Sequence, residues 1–239
     1  MRILGMVGGI GPESTIAYYR ALLSRYRRVT GNPDGLPLLI NSIDLERLLR
    51  LTARGDSRGL AEYLLLEIGR LADAGAQLGF VAANTAHIVF DELQARSPIP
   101  LVGIVSAARD AALALGLSRV GVLGTRFTME SEIYPRVFRN ADMTTVPPDS
   151  EERSTMHSIY TDELLCGRFD REARDQVLRI VGAMIARDRI DGVLLAGTEL
   201  PLLFQVHEEY PVPFLDTLEI HVNAIMEEFV PSGRPGSTA

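Results

Sequence analysis

Short, wholly apolar runs alternate along this chain with longer stretches in which apolar residues recur every three or four positions. The first run, RILGMV at 2–7, predicts a buried strand. It opens into GGIGP at 8–12, a glycine loop whose proline suits the first turn of a helix. ESTIAYYRALLSRY then has the one-sided apolar spacing of that helix. LPLLIN at 36–41 predicts a second strand, and GLAEYLLLEIGRLADAGA a helix that stops at Gly75. LGFVAA at 78–83 and PLVGIV at 100–105 predict a third and a fourth strand, followed by a helix from Ser106 to Leu115.

The pattern then restarts. SRVGVLGTRFT at 118–128 repeats the strand-and-loop character of the opening, and DGVLLAGTELPLL at 191–203 repeats that of LGFVAANTAHIVF. Both pairs are offset by roughly 115 residues, far beyond a solenoid period, so two copies of one α/β unit fit better. Between them lie a weak strand, MTTVP at 143–147, and a long amphipathic helix, REARDQVLRIVGAMIARDRI. PFLDTLEIHVNAIMEEF adds a strand and a helix, read as completing the first unit. The fold class expected is α/β: two pseudo-symmetric domains, each a parallel four-stranded sheet flanked by helices, with the active-site cleft between them. The expected boundaries are 1–103 plus 213–230 for the first domain, 104–212 for the second, and a mobile tail at 231–239.

Composition narrows the chemistry. Hydrophobic residues make up 46% of the 239, enough for a sizeable core, and charged residues 23%. A net charge of −7 without a basic run argues against nucleic acid or an anionic membrane as partner. No apolar run is long enough to span a bilayer, and the N-terminus has no signal-peptide pattern, so a cytoplasmic location is expected. The single cysteine, Cys166, excludes an intramolecular disulfide and a multi-cysteine metal site; it reads as a small apolar residue near a helix end. All 24 basic residues are arginine. Without lysine there is neither a Schiff base nor a Walker-type phosphate site.

In parallel sheets ligands sit beyond the carboxyl ends of the strands, where this chain places polar loops at 8–12, 84–87, 124–128 and 197–199. The residues there are recognisable. GMVGGIGPESTIAYY, AANTAH, GVLGTRFTM, AGTELPLL and DTLEIH resemble, in order, segments of the aspartate/glutamate racemase family, from Met1 to about Phe229. HSIYTDELLCGRF is similar to that family's second-domain helix. The resemblance implies racemisation of acidic amino acids without a cofactor, often by a homodimer. A thiolate takes the α-proton from one face and a thiol returns one to the other, with Cys-Asn-Thr in the first half and Cys-Thr-Glu in the second. Here those positions read Ala83-Asn84-Thr85 and Gly197-Thr198-Glu199, so both cysteines are gone. Glycine is an unusual choice for a designed knockout, and the losses read as natural divergence.

What remains can still bind and react. Gly9 and Gly11 offer backbone N–H groups at a helix N-terminus, a cradle for a carboxylate, or else form a tight turn. Asn84, Thr85 and Thr198 can hydrogen-bond a second carboxylate or an amino group; Asn84 and Thr85 can equally cap a helix. Thr125 and Arg126 lie on the matching loop of the second half, where the arginine pairs with a substrate carboxylate or is a surface charge. His87 and Glu199 are candidate general bases, each just past a missing cysteine, with a structural hydrogen bond as the alternative. The Thr85 and Thr198 hydroxyls are candidates to stabilise an enolate or oxyanion. His221, in the end motif with Asp216 and Thr217, reads as a satisfied structural histidine, while His157 and His207 carry no comparable motif. No metal spacing is convincing. Three functions stay open. One is a cofactor-independent enzyme with altered chemistry on a small acidic metabolite, such as a lyase, decarboxylase, isomerase or cyclase. The second is a ligand-binding pseudoenzyme, and the third a residual racemase using His87 and Glu199.

Overall fold

The computed structural model describes residues 2–33, 35–204 and 209–230. His207 and the tail at 231–239 lie outside the described residues. The chain divides into two compact units: residues up to Ile104 together with those from His221, and Val105–Ile220.

The first unit holds β1 (Leu4–Gly8), α1 (Pro12–Thr30), β2 (Leu38–Ser42), α2 (Leu45–Ala53), α3 (Ser57–Asp73), β3 (Leu78–Val81), α4 (Phe90–Arg96) and β4 (Leu101–Val102). Its sheet is parallel, in the order β2-β1-β3-β4, with Leu4 beside both Leu38 and Leu78, and Gly79 beside Leu101. The central strands β1 and β3 are buried at every position, as their unbroken apolar runs require when helices cover both faces. α3 turns Leu60, Leu64, Ile68 and Leu71 inward at helical spacing, onto a core that includes Val7 and Val81.

α5 (Ile104–Ala114) leads into the second unit, which holds β5 (Arg119–Gly124), α6 (Arg126–Glu130), α7 (Ile133–Arg139), β6 (Thr144–Val146), α8 (Ser150–Ser158), α9 (Arg171–Asp188), β7 (Gly192–Ala196) and β8 (Phe214–Asp216). Its sheet order, β6-β5-β7-β8, is that of the first sheet repeated, and it too is parallel. α9 buries Ala173, Val177, Ile180, Val181 and Met184 along one stripe. α10 (Thr217–Phe229) returns the chain to the first unit.

Several expectations shift. The stretch 213–230 is split, because Phe214–Asp216 pairs with β7 in the second sheet rather than completing the first. The fourth strand is two residues long: Ile104 and Val105 already belong to α5. α2 was missed, although Asp44 caps it by accepting the Arg47 N–H. Cys166 is exposed at the end of a short 3₁₀ turn, not packed as an apolar filler.

Candidate active site

In the first unit, β1 runs out through Gly9 (φ +79°) and Gly11 (φ +89°) into α1. A Cβ on Gly9 would stand 2.7 Å from Ile43 N and 2.8 Å from Ile43 O, so the backbone passes where no side chain fits. The expected carboxylate cradle is partly closed. The Gly9 N–H donates to Thr15 Oγ1 at 2.8 Å, and that hydroxyl lies 3.3 Å from the Gly11 carbonyl it donates to. What the loop keeps for an anion is the first turn of α1, which no side chain caps.

The loop after β3 is tied at Ala82, whose N–H donates to Val7 O and whose carbonyl accepts the Ser14 hydroxyl at 3.2 Å. Asn84 opens a 3₁₀ turn, Thr85–Val89, but its side chain does not cap it. His87 is 2% exposed and stacks on Phe90 with ring centroids 4.6 Å apart. Its Nδ1 lies 2.8 Å from the Ala83 carbonyl, and its Nε2 accepts the Ile104 N–H at 3.1 Å. One assignment satisfies both bonds: a neutral ring with its proton on Nδ1. Burial pushes its pKa down to about 4. The expectation of His87 as a general base therefore meets a ring with both nitrogens engaged by backbone.

His221 is bound as fully. Tyr18 Oη stands 2.7 Å from its Nδ1, and Nε2 lies 3.0 Å from the Val102 carbonyl. Burial, and then the neighbouring His87, lower its pKa to about 3. In the same motif Asp216 accepts the Leu218 and Glu219 N–H groups at the start of α10, and Thr217 donates to Leu195 O.

In the second unit, Thr125 caps α6 by accepting the Thr128 N–H at 3.3 Å, so its hydroxyl has a structural task. Arg126 is exposed; its backbone N–H donates to His157 Nδ1 at 3.4 Å and its guanidinium to Ser154 Oγ at 3.3 Å. Among the described residues no carboxylate pairs with it. Beyond β7, Gly197, Thr198 and Glu199 lead into a 3₁₀ turn, Leu200–Leu203. The Glu199 carboxylate accepts the hydroxyl of Tyr160. Tyr160 is 5% exposed and sits on a π-helical turn, Ile159–Glu163, that continues α8. Burial, then the Glu199 carboxylate, hold its phenol well above the usual range. A Cβ built on Gly197 would overlap this ring, 2.7 Å from Cζ and nearer still to the oxygen. Sequence reasoning missed Tyr160. It lies in the quoted segment HSIYTDELLCGRF, but no spacing rule ties it to Gly197.

The Thr85 and Thr198 hydroxyls, on half-buried residues, form no hydrogen bond within the described residues. Nor do any three or more His, Cys, Asp or Glu among the described residues form a metal-binding group.

A sequence profile of the Asp/Glu/hydantoin racemase family matches residues 7–225. The chain belongs to this family. Among solved structures, a Yersinia pestis protein assigned to the Asp/Glu racemases aligns with TM-score 0.89 at 31% identity, over 97% of this chain and 100% of the other. An aspartate racemase homologue from Pyrococcus horikoshii aligns with TM-score 0.86 at 29% identity, over 97% and 100%. A glutamate racemase from Listeria innocua is 25% identical over 166 residues, 65% of this chain. The match spans 57% of that curated relative's length. Within the racemase family, Ala83 and Gly197 stand where the sequence resemblance places two cysteines. At one of them the space for a side chain is already filled by Tyr160.

Proposed function

We propose that this racemase-family chain binds a small amino or dicarboxylic acid and acts on it without a cofactor, by chemistry that does not use two thiols. One observation carries the reading. Positions 83 and 197 have no acid–base group, while the loops around them keep uncommitted donors in Thr85, Thr198 and the uncapped first turn of α1. Such donors suit the carboxylate of a substrate and the enediolate formed from it. The acidic substrate class is supported by the relatives named glutamate racemase and aspartate racemase homologue. The reaction is then a lyase, decarboxylase, isomerase or cyclase step, run by a homodimer in the cytoplasm.

A catalytically silent ligand-binding protein is the second reading, favoured by the sequestration of His87. Residual racemisation through His87 and Glu199 has less support for the same reason. The test is to incubate the protein with aspartate, glutamate and related dicarboxylic acids, following products by NMR and binding by thermal shift. Turnover supports the enzyme. Stabilisation without turnover sinks it in favour of the binding protein, and a flat response to every acid sinks both.

A further inference from the structure

The two missing thiols are not missing in the same way. At Ala83 no replacement for the first is seen among the described residues. His87, on the same loop, is neutral and bonded at both nitrogens to backbone, and the hydroxyl of Thr85 is too weak an acid to serve as a base unaided. At Gly197 the space beside the backbone is taken by a side chain that carries a proton. Tyr160 lies where a Cβ would stand, and its hydroxyl is donated to Glu199, two residues past Gly197.

We propose that Tyr160 and Glu199 form a proton relay in place of the second thiol, and that the chain consequently exchanges protons with its substrate from one face only. This rests on the proposed binding of a small acidic substrate.

Two further observations fit the relay better than simple space-filling. A phenylalanine would fill the same volume, yet the chain buries a hydroxyl there and gives it an ionisable partner. Tyr160 is presented by a π-helical turn, a departure from regular helix that is frequent at functional sites. The two partners also differ usefully in exposure. Tyr160 is 5% exposed, whereas Glu199 is half-buried and meets water.

The step balances without a co-reactant. The substrate Cα–H bond breaks and its electron pair stays on the substrate as an enediolate. The proton arrives on Tyr160 Oη as Tyr160's own proton passes to Glu199 Oε2. On return, Glu199 gives a proton back to Tyr160, and Tyr160 delivers one to the carbon it came from. While the enediolate persists, the phenol and the protonated Glu199 trade hydrogens and Glu199 exchanges with solvent, so the hydrogen on Tyr160 Oη when it is returned in D₂O is a deuteron. It arrives on the same face, so configuration is kept.

The experiment uses the full chain in D₂O with each enantiomer of aspartate and glutamate. It reads Cα deuteration by NMR, enantiomeric purity by chiral chromatography and binding by thermal shift. The expected result is deuteration with retained configuration. In Tyr160→Phe and Glu199→Gln the exchange rate falls roughly 10²-fold or more, while the ligand-induced shift stays near that of the parent. Thermal melts of the free variants check that each is folded, and Glu199→Gln keeps the acceptor for the phenol if Tyr160→Phe does not fold. Binding without exchange overturns the relay and leaves the proposed binding standing. So does exchange that persists in both variants, or exchange with inversion. No binding of any acidic amino acid overturns the proposed function itself.

Discussion

The Nε2 of His87 accepts the backbone N–H of Ile104 at 3.1 Å, and this one bond fixes the charge of the residue. A protonated ring would turn a second N–H toward the first. His221, between the Tyr18 hydroxyl and the Val102 carbonyl, is kept neutral chiefly by burial. With folded pKa values of about 4 and about 3 against 6.5 unfolded, the unfolded chain binds these protons first as pH falls. The stability tied to the neutral rings is complete above pH 6.5 and is lost between there and the folded values. Each ring contributes a slope of about 1.4 kcal/mol per pH unit across that window. Urea midpoints of His221→Gln at pH 7, 6 and 5 should fall less steeply than those of the parent. Parallel slopes would refute the account.

Restoring thiols should fail while Tyr160 stays in place. Gly197→Cys forces its Cβ into the phenol ring and is expected to cost about 1–3 kcal/mol by overpacking. Adding Tyr160→Ala opens the space, and Ala83→Cys then completes the pair that the resemblance implies. The triple variant is expected to interconvert the enantiomers of aspartate or glutamate, followed by circular dichroism, where Gly197→Cys alone does not. A folded triple variant without inversion would show that more than the thiols has changed.

Thr85 and Thr198 separate binding from folding. Neither hydroxyl is bonded within the described residues, so Thr85→Val and Thr198→Val should move stability by no more than about 0.5 kcal/mol. Ligand affinity, read by calorimetry, should drop roughly tenfold for each, the scale of a hydrogen bond to a charged group. Full affinity in both variants would remove these loops from the binding site.

Two glycines of one loop should respond differently. Gly9→Ala meets both strain at φ +79° and the Ile43 backbone at 2.7 Å, and is expected to cost about 3 kcal/mol or more. Gly11→Ala meets strain at φ +89° but nothing nearer than Ser14 Cβ at 3.5 Å, and should cost about 1–2 kcal/mol. Chemical denaturation ranks them, and equal losses would contradict the packing at Gly9.

The repeated sheet was legible because its central strands are apolar at successive positions and end in polar loops, as in RILGMV and GVLLAG. The partner of Phe214–Asp216 was not, since three residues carry no mark of the sheet they join. The polar loops that follow the strands were legible from Asn84, Thr85, Thr198 and Glu199. The engagement of His87 was not, because Ile104 lies 17 residues away in a stretch read as strand. Tyr160 was hidden for a related reason. It is 39 residues from Glu199, and sequence shows the glycine but not the ring that fills its space.

The bond between Tyr18 and His221 joins residues 203 positions apart, across the whole of the second unit. During synthesis the first unit therefore emerges without one of its buried groups, while everything the second unit needs is made in one continuous stretch. The inserted unit can finish folding first, and the N-terminal half waits for α10 before its core closes. The usual order in which domains mature on the ribosome is therefore expected to reverse.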